Sequence, residues 1–375
     1  MNVGIIGAGI FGVAAALELR ARGHAVTLFE RGEIPNAEAS STDVSKIIRR
    51  TSYPEPTYIE LATRAANQWR IWHERLSQSI YYQTGILIVF GDGIDSRDTE
   101  ILRSCEKLSR QDQDISQLTL AEARLRFPQF AIEDGDTVFH DSWAGYLRSG
   151  QAVADLAALA RDDGVVIREH ATIEAVEDTT ATVRVAWDDD AATFDRVVVA
   201  AGPWIADLVP QLAARVRLTR QQMAFFEPQD RQPFERDRFP AWMFSEADAL
   251  WYGFPFLHEG YVKIAEDSRI DETTVDVARE PTPAFLDWAR EFAANRIPGL
   301  GSAKVVGGRS CLYTNMPDIH FVIDWAPGSD RVLIAGCGSG HGFKFGGAIG
   351  PVIADALEDR HNPAGDLFRI GERLE

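Results

Sequence analysis

Apolar residues come in short runs along this chain. Val3–Ile6, Ala25–Phe29, 196–199 in "RVVVAAGPW" and the run in "RVLIAG" (331–336) are each bounded by glycine or polar residues. Runs this short, rich in Val and Ile, predict strands buried on both faces, as in a parallel sheet. Val13–Arg22 reads as a helix that stops at Gly23, so the amino terminus reads strand–helix–strand. A second set of segments alternates only in part: "GILIVF", "QQMAFFEP", "ALWYGFPF" and "YVKIAED". These predict strands of a separate antiparallel sheet. "TPAFLDWAREFAANRIPG" predicts a helix ended by Pro-Gly. No apolar run reaches the roughly 20 residues of a membrane helix, and the apolar start lacks the basic leader of a signal peptide.

Glycine falls where the strands end. Gly7-Ala8-Gly9-Ile10-Phe11-Gly12 joins the first strand to the first helix, and Glu30 closes the second strand. In this pattern Gly7 permits the turn, Gly9 lets backbone approach a pyrophosphate, and Gly12 lets helix pack on strand. The helix amino terminus faces the phosphates, and the acid accepts the ribose hydroxyls. An acid at position 30 favours FAD or NAD over NADP. Two further strand ends repeat the theme, at Ala201-Gly202 before Trp204 and in "GCGSGHGFKFGGAIG", residues 336–350. Three such ends suit one long cofactor lying across a sheet, which favours FAD. In the last run the backbone would approach the flavin, and the following helix would aim its positive end at it. An NAD-binding regulatory or structural protein without flavin stays open as the alternative from another class.

Composition narrows the partners. The chain has 375 residues and a net charge of −18, which argues against nucleic acid and anionic membrane surfaces. Three cysteines, Cys105, Cys311 and Cys337, form no zinc-type spacing and no disulfide framework, and fit a reducing cytoplasm. No metal site is expected. The oligomeric state is left open, a monomer being one reading.

"SKIIRR", "WYGFP", "VKIAED", "CLYTNMPDIHFVID" and "SGHGFKFG" resemble, in order and over nearly the whole chain, the monomeric sarcosine oxidase family of D-amino-acid-oxidase-like flavoproteins. That family includes N-methyl-amino-acid and pipecolate oxidases. The resemblance implies oxidation of a C–N bond in a small amino acid or amine, giving an imine and hydrogen peroxide. It implies FAD linked covalently through Cys311, with Cys337 the rival on position alone and a small buried hydrophobe the plain reading of a free cysteine. It also implies that Lys263 activates oxygen and that Arg49 and Lys344 clamp the substrate carboxylate. Met243, Tyr252, Asp267 and Tyr313 would line the substrate cavity. The cofactor set implied is Gly7, Gly9, Ile10, Phe11, Gly12, Glu30, Arg31, Ser45, Lys46, Ile173, Ala201, Gly202, Trp204, Cys311, Gly338, Ser339, Gly340, Gly342 and Lys344. His341 would support the loop.

The chain departs from the family at three positions. Thr42 stands for a histidine, Lys46 for an arginine and Asp267 for a histidine. Asp267 could meet a substrate cation, or pair with Lys263 or Arg269. Sarcosine itself is therefore not assigned. A larger, cyclic or basic amino acid, a tailoring oxidation of a natural-product precursor, and a dehydrogenase passing electrons to a protein or quinone all remain open. The fold class expected is α/β: a Rossmann-type FAD-binding domain (1–80, 145–215 and 300–375) and an antiparallel-sheet α+β substrate domain (81–144 and 216–299). This is the glutathione-reductase/D-amino-acid-oxidase arrangement.

Overall fold

The computed structural model describes residues 1–371 apart from 52, 248, 268 and 269. The expected strands form a six-stranded sheet in the order Val322–Trp325, Val332–Gly336, Arg196–Val199, Asn2–Ile6, Ala25–Phe29, Val166–Arg168. Every pair in it is parallel except the first. The three strands that run into glycine are therefore adjacent, and their carboxyl ends share one edge. Ligands of open α/β sheets lie at such an edge.

Small residues set how closely the helices approach. The Ile10–Ala21 helix presents Ala14, Ala15 and Ala16, all buried. A Cβ on Gly12 would stand 1.9 Å from the Gly7 carbonyl oxygen, and one on Gly350 would stand 2.5 Å from the Ala14 oxygen. Gly346 and Gly347 touch Ile10, Trp69 and Ala65 in the same way. These last three glycines therefore serve packing among the Ile10–Ala21, Pro56–Arg75 and Gly346–Leu357 helices. The expectation that the whole run 336–350 approaches a cofactor is corrected on this point.

The second sheet has eight strands, in the order Lys304–Asn315, Arg217–Glu227, Val262–Glu266, Leu250–Phe256, Ala241–Ser245, Ile86–Phe90, Thr137–Asp141, Ile115–Leu118. It is mixed, not purely antiparallel as expected, because Ala241–Ser245 runs parallel to Ile86–Phe90. A parallel pair needs a long crossover, and two strands of the six-stranded sheet, Val166–Arg168 and Arg196–Val199, lie between these two strands in sequence. The Lys304–Asn315 strand, grouped above with the cofactor-binding segments, pairs along its length with Arg217–Glu227.

Both faces of this sheet are covered, which explains the weak polar alternation. Side chains on a strand alternate between faces. Ala224, Phe226, Trp242, Phe244, Trp251, Val262 and Ile264 pack into one core with Phe285, Ala289 and Phe292 of the Pro283–Arg296 helix. Thr282 caps that helix, accepting from the Phe285 N–H at 3.2 Å. The other face carries Met223, Met243, Tyr252, Ala265, Cys311 and Tyr313, and Lys263 by the same alternation. This face roofs the carboxyl edge of the first sheet.

Candidate active site

A cavity of about 230 Å³ lies along that edge. Gly7, Gly9, Ile10, Phe11, Glu30, Arg31, Lys46, Ile173, Ala201, Gly202, Trp204, Gly338, Ser339, Gly340 and Gly342 all line it. Its floor is largely bare backbone. Gly7 and Gly340 adopt φ of 101° and 77°, and Gly202 adopts 54°, a region that side chains disfavour. A Cβ on Gly340 would stand 2.3 Å from the Tyr313 ring.

At one end Glu30 is 6% exposed. Its carboxylate accepts from the Ala8 N–H at 2.9 Å and from Asn36 Nδ2 at 2.8 Å, so it braces the glycine turn. Arg31 lies over the Trp204 ring at 4.5 Å. The first helix begins at this wall. Gly9 provides no side-chain cap, and Ser41 Oγ accepts from the Ile10 N–H at 3.0 Å. Ser41, like Ala39, Ser40 and Thr172, lines the cavity without having been singled out as a cofactor contact. A Ser-rich stretch after the second strand was the available signal.

The other predicted cofactor residues are not on this wall. Gly12 lies beneath it as a packing residue. Ser45 is fully buried; its carbonyl accepts from Lys263 Nζ at 2.9 Å, and its hydroxyl meets no partner among the described residues. Cys311 is 1% exposed and packs against Met223, Ala265 and Tyr313, although its neighbours Leu312 and Tyr313 line the cavity. Cys337 does line it, at φ 55°. Lys344 lines a second cavity.

That second cavity, of about 100 Å³, shares Lys46, Tyr313, Gly340 and Phe343 with the first. All six residues predicted to meet substrate line it: Arg49, Met243, Tyr252, Asp267, Tyr313 and Lys344. Burial raises Tyr252 and Tyr313 well above the ordinary phenol range, and each also acts on the other. Arg49 Nη1 donates to the Thr51 carbonyl, and its guanidinium lies 5.6 Å from the Tyr53 ring centre. Lys344 Nζ lies 5.7 Å from the same ring and donates to the His341 carbonyl at 2.9 Å. Burial, and then Arg49, hold the Lys344 ammonium well below the usual lysine range. His341 supports this loop as expected, its Nε2 meeting the Ile319 carbonyl at 3.0 Å.

Lys263 is fully buried and lies behind these walls. Of the partners left open for Asp267, Lys263 is ruled out, because Lys263 pairs with Asp43, and both side chains are fully buried. Burial pushes the ammonium down to about 8 against the upward pull of Asp43. For Asp43, burial acts upward, but Lys263, Lys46 and Arg309 outweigh it and hold the carboxyl well below its ordinary range. Asp43 Oδ1 accepts from the Val44 N–H at 2.7 Å, and its carbonyl accepts from Ser149 Oγ at 2.6 Å. Asp43 escaped the sequence reading because one acid in a polar loop carries no spacing signal. Asp267 instead faces Arg97, at 3.7 Å; Arg269 lies outside the described residues. Thr42 is buried, and its hydroxyl has no partner among the described residues. Among those residues no cluster of His, Cys, Asp or Glu could hold a metal, and no helix is long and apolar enough to cross a membrane.

Residues 2–356 match the family described as FAD dependent oxidoreductase (DAO). The cavity suits FAD: its floor would be closed by side chains at the glycine positions, an acid stands at one end, and the first helix opens on it. Monomeric sarcosine oxidase of Bacillus sp. (strain NS-129) is 28% identical over 358 residues, covering 94% of this chain and 92% of that protein. N-methyl-L-tryptophan oxidase of Yersinia pestis (strain Pestoides F) is 27% identical over 364 residues, covering 96% and 95%. Two solved structures share the fold. NikD, an amino acid oxidase essential for nikkomycin biosynthesis, superimposes with a TM-score of 0.83 at 21% identity, covering 100% of this chain and 96% of its own. Fructosamine oxidase (Amadoriase II) of Aspergillus fumigatus does so at 0.83 and 20%, covering 100% and 90%.

Proposed function

The chain belongs to the FAD dependent oxidoreductase (DAO) family, and from that premise we propose that it is an oxidase of a C–N bond in a small amino acid, giving an imine and hydrogen peroxide. FAD, when bound, supplies the redox chemistry. The protein supplies position and charge. One observation carries the substrate class. Arg49 and Lys344 are two basic side chains on one small cavity wall, close enough that Arg49 disfavours the Lys344 charge. A carboxylate placed between them relieves that repulsion, and Arg49 can grip it through two N–H groups. The cavity joins the larger one through Lys46, Tyr313, Gly340 and Phe343, so a carboxylate held here keeps the rest of the substrate near the cofactor cavity. The names of the sarcosine and N-methyl-tryptophan oxidases favour a secondary amine as the oxidised group.

In this reading Lys263 is the buried charge that favours electron transfer to oxygen, since a fixed cation stabilises the anion formed. The flavin is carried covalently on Cys311, which sits one residue before two members of the cavity wall. Cys337, itself on the wall, is the competing attachment point. Acid precipitation separates them: Cys311→Ser releases the yellow colour into the supernatant and Cys337→Ser does not. The reverse outcome moves the link to Cys337. Peroxide formed under air in step with substrate consumption supports an oxidase; turnover only with an added electron acceptor makes the protein a dehydrogenase of the same fold.

A further inference from the structure

The second cavity is polarised by wall. Its cations, Lys46, Arg49 and Lys344, come from the Lys46–Ile48 strand, the residue after it, and the glycine run. Its one carboxylate among the described residues, Asp267, comes from the opposing wall, at the end of the Val262–Glu266 strand of the eight-stranded sheet. The Asp267 N–H donates to the Leu250 carbonyl at 2.9 Å, which fixes the backbone there. The side chain is partly exposed, and among the described residues the cation it pairs with, Arg97, stands at 3.7 Å, beyond hydrogen-bond reach. Arg97 has a counter-charge of its own. Its Nε donates to Asp98 Oδ1 at 3.1 Å, and Asp98 is buried. Asp267 therefore keeps acceptor capacity directed to the cavity.

We propose that Asp267 is a specificity-determining residue that binds a second, non-reacting cationic group of the substrate, so that this enzyme prefers amino acids with a basic side chain. This rests on the reading above, in which Arg49 and Lys344 take the carboxylate. The reacting nitrogen must be uncharged, so that its lone pair can form the C=N bond as the neighbouring carbon gives up a hydride equivalent. A carboxylate that held the reacting nitrogen as an ammonium would oppose the chemistry, whereas one that holds a distal ammonium does not. A substrate with a carboxylate at one end and a positive charge at the other matches both walls, and a neutral side chain would leave Asp267 partly desolvated without a partner.

The test uses the FAD-loaded enzyme and pairs of N-methyl amino acids of equal length, whose side chains end in an ammonium or in a methyl group. The ratio of kcat/KM, cationic over neutral, is expected to exceed roughly tenfold, the worth of one charged hydrogen bond. It should fall by about the same factor in Asp267→Asn, or in Asp267→Ser if the first variant does not retain FAD. A second readout needs no turnover. Under anaerobic conditions, straight ω-amino carboxylates of four to six carbons should perturb the flavin spectrum at lower concentration than the corresponding fatty acids, and this advantage should vanish in the variant. A ratio at or below one in the wild type overturns the proposal. So does a ratio that the variant leaves unchanged, since Asp267 would then serve only Arg97. If neutral and cationic amino acids both reduce the flavin equally well, this inference fails while the oxidase reading stands. If no amino acid reduces it, the oxidase reading fails first.

Discussion

Arg49 and Lys263 are both cations close to the site, yet the structure puts them to different uses. Arg49 faces the small cavity with donors to spare. Arg49→Ala should raise KM by roughly tenfold to a hundredfold, the range for a charged hydrogen bond, with a smaller change in kcat. Steady-state kinetics would show it, and an unchanged KM would remove Arg49 from the site. Lys263 is sealed behind the wall and held near 8. Its charge is present below that pH and lost above it. The oxygen half-reaction should therefore slow as pH rises through about 8, while anaerobic reduction by substrate should not follow the same curve. Lys263→Met should slow the oxygen step at neutral pH and abolish that dependence. Stopped-flow measurement of the two half-reactions separates them, and equal slowing of both would contradict the role.

Asp43 belongs to the same account. Its folded carboxyl titrates well below the unfolded value, so its contribution to stability is present above roughly pH 4 and is lost as pH falls further. Asp43→Asn should cost about 3 to 5 kcal/mol at pH 7, as for a buried pair broken on one side. The gap from wild type should narrow on acidification to about pH 3. Urea unfolding at both values checks this, and a gap that does not narrow would show that the loss is not electrostatic. The sequence disclosed the three site cations because each lies in a recognisable motif. It did not disclose Asp43, because the partner of a buried lysine is chosen by the tertiary fold.

At the scale of elements, glycine carried most of the legible information, though in two roles that look alike in sequence. Gly7, Gly9 and Gly340 line a cavity, while Gly12, Gly346, Gly347 and Gly350 let helices pack closely on their neighbours. Only packing partners distinguish them, so the run 336–350 read as one motif divides at Phe345. Gly12→Ala tests the second role. The added methyl would collide with the Gly7 carbonyl and push the first helix off the cofactor turn. The variant should bind FAD weakly and unfold at lower temperature, as the flavin content of the purified protein and a thermal melt would report. Full FAD occupancy would show that the turn can yield. The strands of the second sheet were legible as strands, but not which of their faces formed the site. Helix Pro283–Arg296 buries the other face as deeply, which erases the polar alternation that would have marked it. The parallel pair in that sheet was hidden for a similar reason, since strand direction follows from a crossover and not from local pattern.

For the whole molecule, the arrangement is two sheets meeting edge to face. The glycine edge of one lies under the tyrosine-bearing face of the other, with Lys46, Tyr313, Gly340 and Phe343 at the junction of the two cavities. The central claim is that these cavities work together, one holding FAD and the other presenting an amino acid to it. The most direct test is an anaerobic titration of the purified yellow protein with a panel of N-methyl, cyclic and basic amino acids, followed by admission of air. The account predicts that at least one of them bleaches the flavin completely. It also predicts that oxygen restores the colour with one equivalent of hydrogen peroxide. A flavin that stays oxidised with every amino acid offered, yet is reduced by dithionite and reoxidised normally, would contradict it.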